Sequence, residues 1–336
     1  MTSDKHATLG SDFRRFVAER GGRLPAASRQ PRANQQPRAR PRGGELADPS
    51  DAAPVSQDHG EPGYAYASDR ATRAVFGKLL PLQLAIESAV RAFWHLELGR
   101  LLGGAVKVGP KQFPRVDRVS RDCAATLGIA PPSVYVVNSP YLNAATYGTK
   151  QHSFIMIHSA LVDHLSDAEL MSVVGHECGH IHNQHVTYLT ALRLLESLGG
   201  RFSALFSLGF SLSLQAWSRR AEITCDRAAL LCCRDLDVAT RALAKLALGS
   251  KKLYEELDVE VFLEQHREMQ NNAGRLSELF SSHPWLPKRV LALRLFAQSE
   301  YYLRYKLPGG ADPARGVGLG LSEVDRRVEQ IVRVVG

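Results

Sequence analysis

The segment VVGHECGHIHNQHV, residues 173–186, constrains this chain more than any other. It places four histidines, His176, His180, His182 and His185, within ten positions. His176, Glu177 and His180 read H-E-x-x-H. Residues four apart on an α-helix lie about 40° apart around its axis, one turn along. Two imidazoles at that spacing converge on one ion only on a helix, and Glu177 beside the first then reaches a water on that ion. The sequence supplies the helix. Ser166 and Glu169 stand at capping-box spacing ahead of it. Leu170, Val173, Val174 and Ile181 give it an apolar face. Its expected end is Gly199-Gly200.

A catalytic zinc ion usually takes three protein ligands and a water. One extended motif, H-E-x-x-H-x-x-G-x-x-H, needs a glycine at 183 and a histidine at 186. Asn183 and Val186 stand there instead. On a continuous helix His185 points about 140° and His182 about 160° away from His180. Both read as bystanders, with a second-sphere or interhelix contact the alternative for His185. A carboxylate from a second helix is the remaining source. SRRAEITCDRAALL offers Glu222 and Asp226, four apart on one face. Glu222 is the expected third ligand. Asp226 is expected to accept a hydrogen bond from a ligand histidine and fix its orientation. The plainer reading of this pair is a surface E-x-x-x-D on an amphipathic helix. Cys225 lies on a flank of the same face, where small-residue packing is expected and approach to the metal is the alternative. Cys178 faces away from His176 and reads as core.

The 336 residues suffice for one large domain or two ordinary ones. The net charge of +8 is partly clustered: nine arginines lie between Arg14 and Arg42 against the single acid Glu19. Residues 1–66 are rich in Pro, Gly, Gln and charge without apolar period, and read as a disordered Arg/Pro-rich tail. The tail lacks aromatic residues interleaved among its arginines for stacking bases, so no nucleic-acid partner is expected. Helical patterning begins near Ser68. Helices are expected at about 111–127, 166–198, 218–233, 237–248, 258–271 and 287–305, with strands over PSVYVVN and SFIMIHS. Residues 202–217 are the most apolar stretch and read as a buried or groove-lining helix, with peripheral membrane contact as the alternative. Residues 307–336 read as a loop and an amphipathic helix capped by Ser322. The expected fold class is α+β, mainly helical. Five cysteines without a C-x-x-C pair, and no apolar leader segment, point to a reducing, cytoplasmic setting.

HECGH, RRAEITCDRAAL and SSHPWLPKRV together resemble the HtpX-like zinc metallopeptidases, a gluzincin-type family that also includes the type I CAAX prenyl proteases. The family's H-E-x-x-H, E-x-x-x-D and His-Pro…Arg elements fall on His176, Glu177, His180, Glu222, Asp226, His283, Pro284 and Arg289. Its N-A-F-A-x-G element resembles NAATYG, Asn143, Ala144, Ala145, Thr146, Tyr147 and Gly148, with Ala145 and Thr146 departing from the pattern. The resemblance implies a catalytic domain over about 67–306 of the soluble bacterial type. It also implies a small sheet whose edge strand faces the active-site helix and holds an extended peptide. It makes His283, with Arg289 behind it, the candidate oxyanion donor. One Zn²⁺ per chain is expected, with Glu177 as general base for hydrolysis of protein or peptide substrates. The competing class is a zinc-binding protein with a chaperone-like role and little turnover.

Overall fold

The computed structural model describes residues 62–78, 84, 86–88, 90–91, 103–198, 208–268, 283–306 and 318–333. The mainly helical α+β class expected from the sequence is what the chain adopts. Its helices are α1 (Ala67–Lys78), α2 (Pro114–Leu127), α3 (Ser159–His164), α4 (Asp167–His182), α5 (Val186–Leu198) and α6 (Leu208–Cys233). They continue as α7 (Leu236–Leu248), α8 (Lys251–Glu255), α9 (Val259–Glu268), α10 (Leu286–Ala297), α11 (Glu300–Lys306) and α12 (Leu321–Val332). Four strands, β1 (Ala105–Lys107), β2 (Ser133–Val137), β3 (Ala144–Gly148) and β4 (Ser153–His158), form one mixed sheet in the order β1-β2-β4-β3. β3 is thus an edge strand, antiparallel to β4.

The capping box at the start of α4 forms as its residues dictate. Glu169 N–H donates to Ser166 Oγ, and Ser166 N–H donates to the Glu169 carboxylate at 2.8 Å. Lys245 of α7 meets the same carboxylate at 2.8 Å and ties α7 to this end of α4. The other end differs from the expectation. α4 stops at His182, because Asn183 caps it and Gln184 takes a left-handed conformation with φ 58°. Asn183 Nδ2 donates to Gly179 O and to Tyr64 Oη. The chain then restarts as α5 on a new axis.

α4 and α6 pack unusually closely. A Cβ at Gly175 would lie 2.7 Å from Cys232 Cβ, and one at Gly179 would lie 2.8 Å from Ala228 Cβ. Two glycines four apart leave a groove in α4 that α6 fills. The main core surrounds this pair, with Leu170, Val174, Cys178, Ile223, Leu230 and Phe296 buried in it.

Several expected boundaries move. Residues 1–61 of the expected tail lie outside the described residues, but Tyr64, Ala65 and Tyr66 are core. Arg227 Nη1 donates to Tyr64 O, and Tyr66 N–H donates to Thr224 Oγ1, so α6 holds this segment by polar contacts that leave no apolar period. The separate helices expected at 202–217 and 218–233 are one helix from Leu208; residues 199–207 lie outside the described residues. Ser322 does not cap α12: Gly320 occupies the cap without a side-chain bond. The expected loop at 307–317 lies outside the described residues. Among the described residues no helix is long and apolar enough to cross a membrane.

Candidate metal centre

The close approach of α4 and α6 brings His176, His180 and Glu222 together. His176 Nε2 lies 3.4 Å from Glu222 Oε2, and His180 Nε2 lies 3.4 Å from Glu222 Oε1. An ion with tetrahedral bonds of about 2.0–2.1 Å has its ligand atoms about 3.3–3.4 Å apart. Both histidine nitrogens thus stand within ligand–ligand distance of the Glu222 carboxylate, one on each oxygen. Glu222 Oε2 is buried and accepts no hydrogen bond with acceptable geometry, although His283 Nδ1 approaches to 2.9 Å and Arg289 Nη1 to 3.3 Å. A buried carboxylate oxygen without a well-formed hydrogen bond is an atom that a metal ion could satisfy.

Charge tells the same story. Burial works against the Glu222 carboxylate, yet the nearby cations of His283, His176 and Arg289 hold its pKa well below the usual range. Burial also opposes charging of His176, but the Glu222 and Asp226 carboxylates push it up to about 10. His180 goes the other way: burial pushes it down to about 4.

His176 Nδ1 lies 3.1 Å from Asp226 Oδ1. Arg289 donates Nε to Asp226 Oδ2 at 2.9 Å and Nη2 to Oδ1 at 2.6 Å. These bonds aim the Arg289 guanidinium at the two carboxylates. His283 stands at the cleft mouth with its side chain 45 % exposed.

Cys225 comes closer than packing alone required. Ligand atoms of His176, His180 and Cys225 lie within 4.8 Å of one another. The thiol, however, sits 3.2 Å from Nδ1 of His180, whereas it is Nε2 that faces Glu222. One imidazole cannot direct both nitrogens at the same ion, so the thiol stands on the far side of the His180 ring from Glu222. Burial pushes its pKa well above the usual thiol value.

A cleft of about 630 Å³ opens onto the centre, lined among others by Asn143, Ala144, His176, Glu177, Glu222 and His283. The edge strand is only partly available to it. His158 N–H bonds Asn143 O and Thr149 N–H bonds His152 O, so the backbone groups of Ala144, Thr146 and Gly148 face outward. α5 already takes two of these: Arg193 Nη1 donates to Thr146 O, and Gly148 N–H donates to Thr190 Oγ1. Of the six residues expected to bind a peptide, only Asn143 and Ala144 line the cleft. Thr146 instead turns its hydroxyl inward and donates to Glu177 Oε2 at 2.6 Å.

Sequence reasoning missed three participants. It expects Thr146 only within the peptide-holding segment, gives Arg193 no role, and reads His185 on a continuous helix as a bystander, with a second-sphere or interhelix contact as the alternative. The break at Asn183 brings His185 Nδ1 to 3.2 Å from His180 Nδ1. Asn183 as a helix stop was the one signal that pointed there. His182 is turned to Tyr64 Oη, 3.0 Å away, as befits a bystander.

Comparison with known proteins agrees with this geometry. Residues 110–297, more than half of the chain, match the profile of peptidase family M48. The chloroplastic plastoglobule-localized metallopeptidase 48 of Arabidopsis thaliana is 36% identical over 171 residues, which cover 49% of each chain. A protease HtpX homolog of Tropheryma whipplei is 27% identical over 262 residues, covering 69% of this chain and 89% of the relative. One from Caldanaerobacter subterraneus is 24% identical over 227 residues, 57% and 75% of the two chains. This chain thus spans about half of the plant relative and most of the bacterial ones. By the extent of the profile match, and with HtpX proteases among its relatives, the chain belongs to peptidase family M48.

Proposed function

We propose that this protein is a zinc-dependent endopeptidase. The observation that carries the reading is the 3.4 Å approach of both histidine Nε2 atoms to the Glu222 carboxylate, with Glu177 in the same cleft. His176, His180 and Glu222 would hold the ion. When bound, zinc supplies Lewis acidity, which acidifies water and polarises a carbonyl. Glu177 is the general base: it takes a proton from the attacking water and returns it to the leaving amine. Thr146 fixes the Glu177 carboxylate through Oε2, which leaves Oε1 to handle the proton. Asp226 holds His176 with Nδ1 as donor and Nε2 as lone pair. Arg289 positions Asp226 and Glu222 rather than meeting the substrate, so His283 takes the role of oxyanion donor. A peptide main chain pairs with the Asn143–Ala144 end of β3. The bacterial relatives are named proteases, which supports protein substrates. The unpaired cysteines support a reducing compartment, in keeping with a cytoplasmic enzyme.

The test combines metal analysis with casein cleavage, with and without a chelator. The wild-type protein should carry one zinc and lose activity when stripped. Glu177→Gln should keep the zinc while turnover falls by about 10²–10⁴-fold, the usual worth of general acid–base catalysis. A wild-type protein that keeps zinc but never cleaves would support the binding-protein reading, and one without zinc would end the metal assignment.

A further inference from the structure

A metal-binding histidine needs an acceptor for its outer N–H, which sets both tautomer and ring direction. His176 has Asp226 for this. Among the described residues His180 meets no carboxylate at Nδ1. It meets a second imidazole, His185 Nδ1, at 3.2 Å. His185 is fully buried, and its Nε2 lies 3.0 Å from Asp69 Oδ2. Asp69, buried on α1, also accepts from Trp217 Nε1 at 2.9 Å and from Thr224 Oγ1 at 2.7 Å. Indole nitrogen can only donate. The Thr224 oxygen already receives Tyr66 N–H, so its own hydrogen is directed to Asp69. Three donors converge on two oxygens, which makes Asp69 a carboxylate that only accepts.

The proton positions follow in order. His185 carries its hydrogen on Nε2, facing Asp69, and leaves a lone pair on Nδ1. His180 must then carry its hydrogen on Nδ1, since two lone pairs 3.2 Å apart would repel. That leaves the His180 Nε2 lone pair directed towards Glu222. Each ligand histidine is thus served by a carboxylate, one directly and one through an intervening imidazole.

We propose that Asp69 and His185 are positioning residues of the metal centre, forming an Asp69–His185–His180 relay that sets the tautomer and direction of the second zinc ligand. The proposal rests on His180 being a ligand. It joins α1 and the turn after α4 to the site, although neither lies in the H-E-x-x-H or E-x-x-x-D elements. A cluster that only anchored α1 against α6 would not depend on which nitrogen carries the proton.

The test uses the full chain, with ¹⁵N-labelled histidines and chelator-treated protein. In the metal-free wild type, long-range ¹H–¹⁵N spectra should show His185 protonated at Nε2 and His180 at Nδ1. Asp69→Asn loses the carboxylate charge and one of the two acceptor oxygens that three donors share, and so should loosen the hold on the His185 Nε2 hydrogen. Zinc affinity, read by competition with a chromophoric chelator, should then fall by about 10- to 100-fold, as for other lost partners of ligand histidines. His185→Gln keeps an acceptor for His180 and should recover most of the affinity that His185→Leu loses. This pair decides the matter if Asp69→Asn does not fold. Cys225→Ala should change neither tautomer nor affinity, although its thiol also lies 3.2 Å from His180 Nδ1. The relay is overturned if Asp69→Asn binds zinc as the wild type does, or if the Gln and Leu variants lose equally. A doubly protonated His185, or an affinity loss traced to Cys225→Ala, overturns it as well. If the wild-type protein takes up no zinc at all, it is the ligand assignment that fails, and the metal-free tautomers still report on the relay.

Discussion

Gly179→Ala tests whether the close approach of two helices sets the spacing of the metal site. Gly179 precedes His180 on α4. A methyl group there would lie 2.8 Å from Ala228 Cβ, 3.2 Å from Cys225 Cα and 3.3 Å from Cys225 Sγ. Ordinary contact begins near 3.4 Å, so the nearest pair must separate by 3.4 − 2.8 = 0.6 Å. None of these atoms is the far end of a flexible side chain, so the helices themselves have to part. Overpacking of this kind costs about 1–3 kcal/mol. Alanine recovers about 1 kcal/mol of helix propensity relative to glycine. The net loss of stability is about 0–2 kcal/mol, which alone leaves the protein folded. The metal is the more sensitive reporter. Glu222 rides on α6 and the histidines on α4, and zinc bonds tolerate deviations of only about 0.2 Å. A 0.6 Å separation should lower zinc affinity by about 10-fold or more, while the melting point of the metal-free protein changes little. Adding Ala228→Gly removes the closest atom. The double variant should regain zinc affinity and melt near the wild type, because it exchanges one helical glycine for another and the propensity costs of about 1 kcal/mol cancel. Wild-type zinc affinity in Gly179→Ala would refute the reasoning.

Thr146→Val removes the hydroxyl that donates to Glu177 at 2.6 Å while keeping the shape of the side chain. Hydrogen bonds to charged groups contribute about 1.5–3 kcal/mol, so kcat on casein should fall by about 10-fold or more with zinc content unchanged. Asp226→Asn should weaken zinc binding by about 10- to 100-fold in a chelator competition; unchanged affinity would remove its role at His176. Burial opposes ionisation of Glu169, yet Lys245 and Ser166 hold its pKa below the usual carboxylate value. Its folded pKa is depressed, so this stability is present above about pH 4.3 and is lost as pH falls through the folded value. Melting curves of Lys245→Met should therefore show a shallower loss of stability on acidification than the wild type.

Local spacing along the chain is enough to place some parts of this protein. H-E-x-x-H at helical period, the Ser166–Glu169 cap and the E-x-x-x-D pair need only the 3.6-residue repeat to place their side chains, and they stand where that repeat puts them. The edge position of NAATYG came with family resemblance and holds as β3. Other features depend on where separate elements meet. A single left-handed residue, Gln184, follows the end of α4 at His182 and turns His185 back onto His180. Asp69 lies more than a hundred residues from the histidine it meets, and no periodicity connects them. The outer edge of β3 looked open to a peptide until α5 laid Thr190 and Arg193 along half of it. Side-chain direction along one helix is a local property of the backbone, whereas partners across elements are chosen by packing. Packing is fixed here by two glycines that let α6 sink into α4.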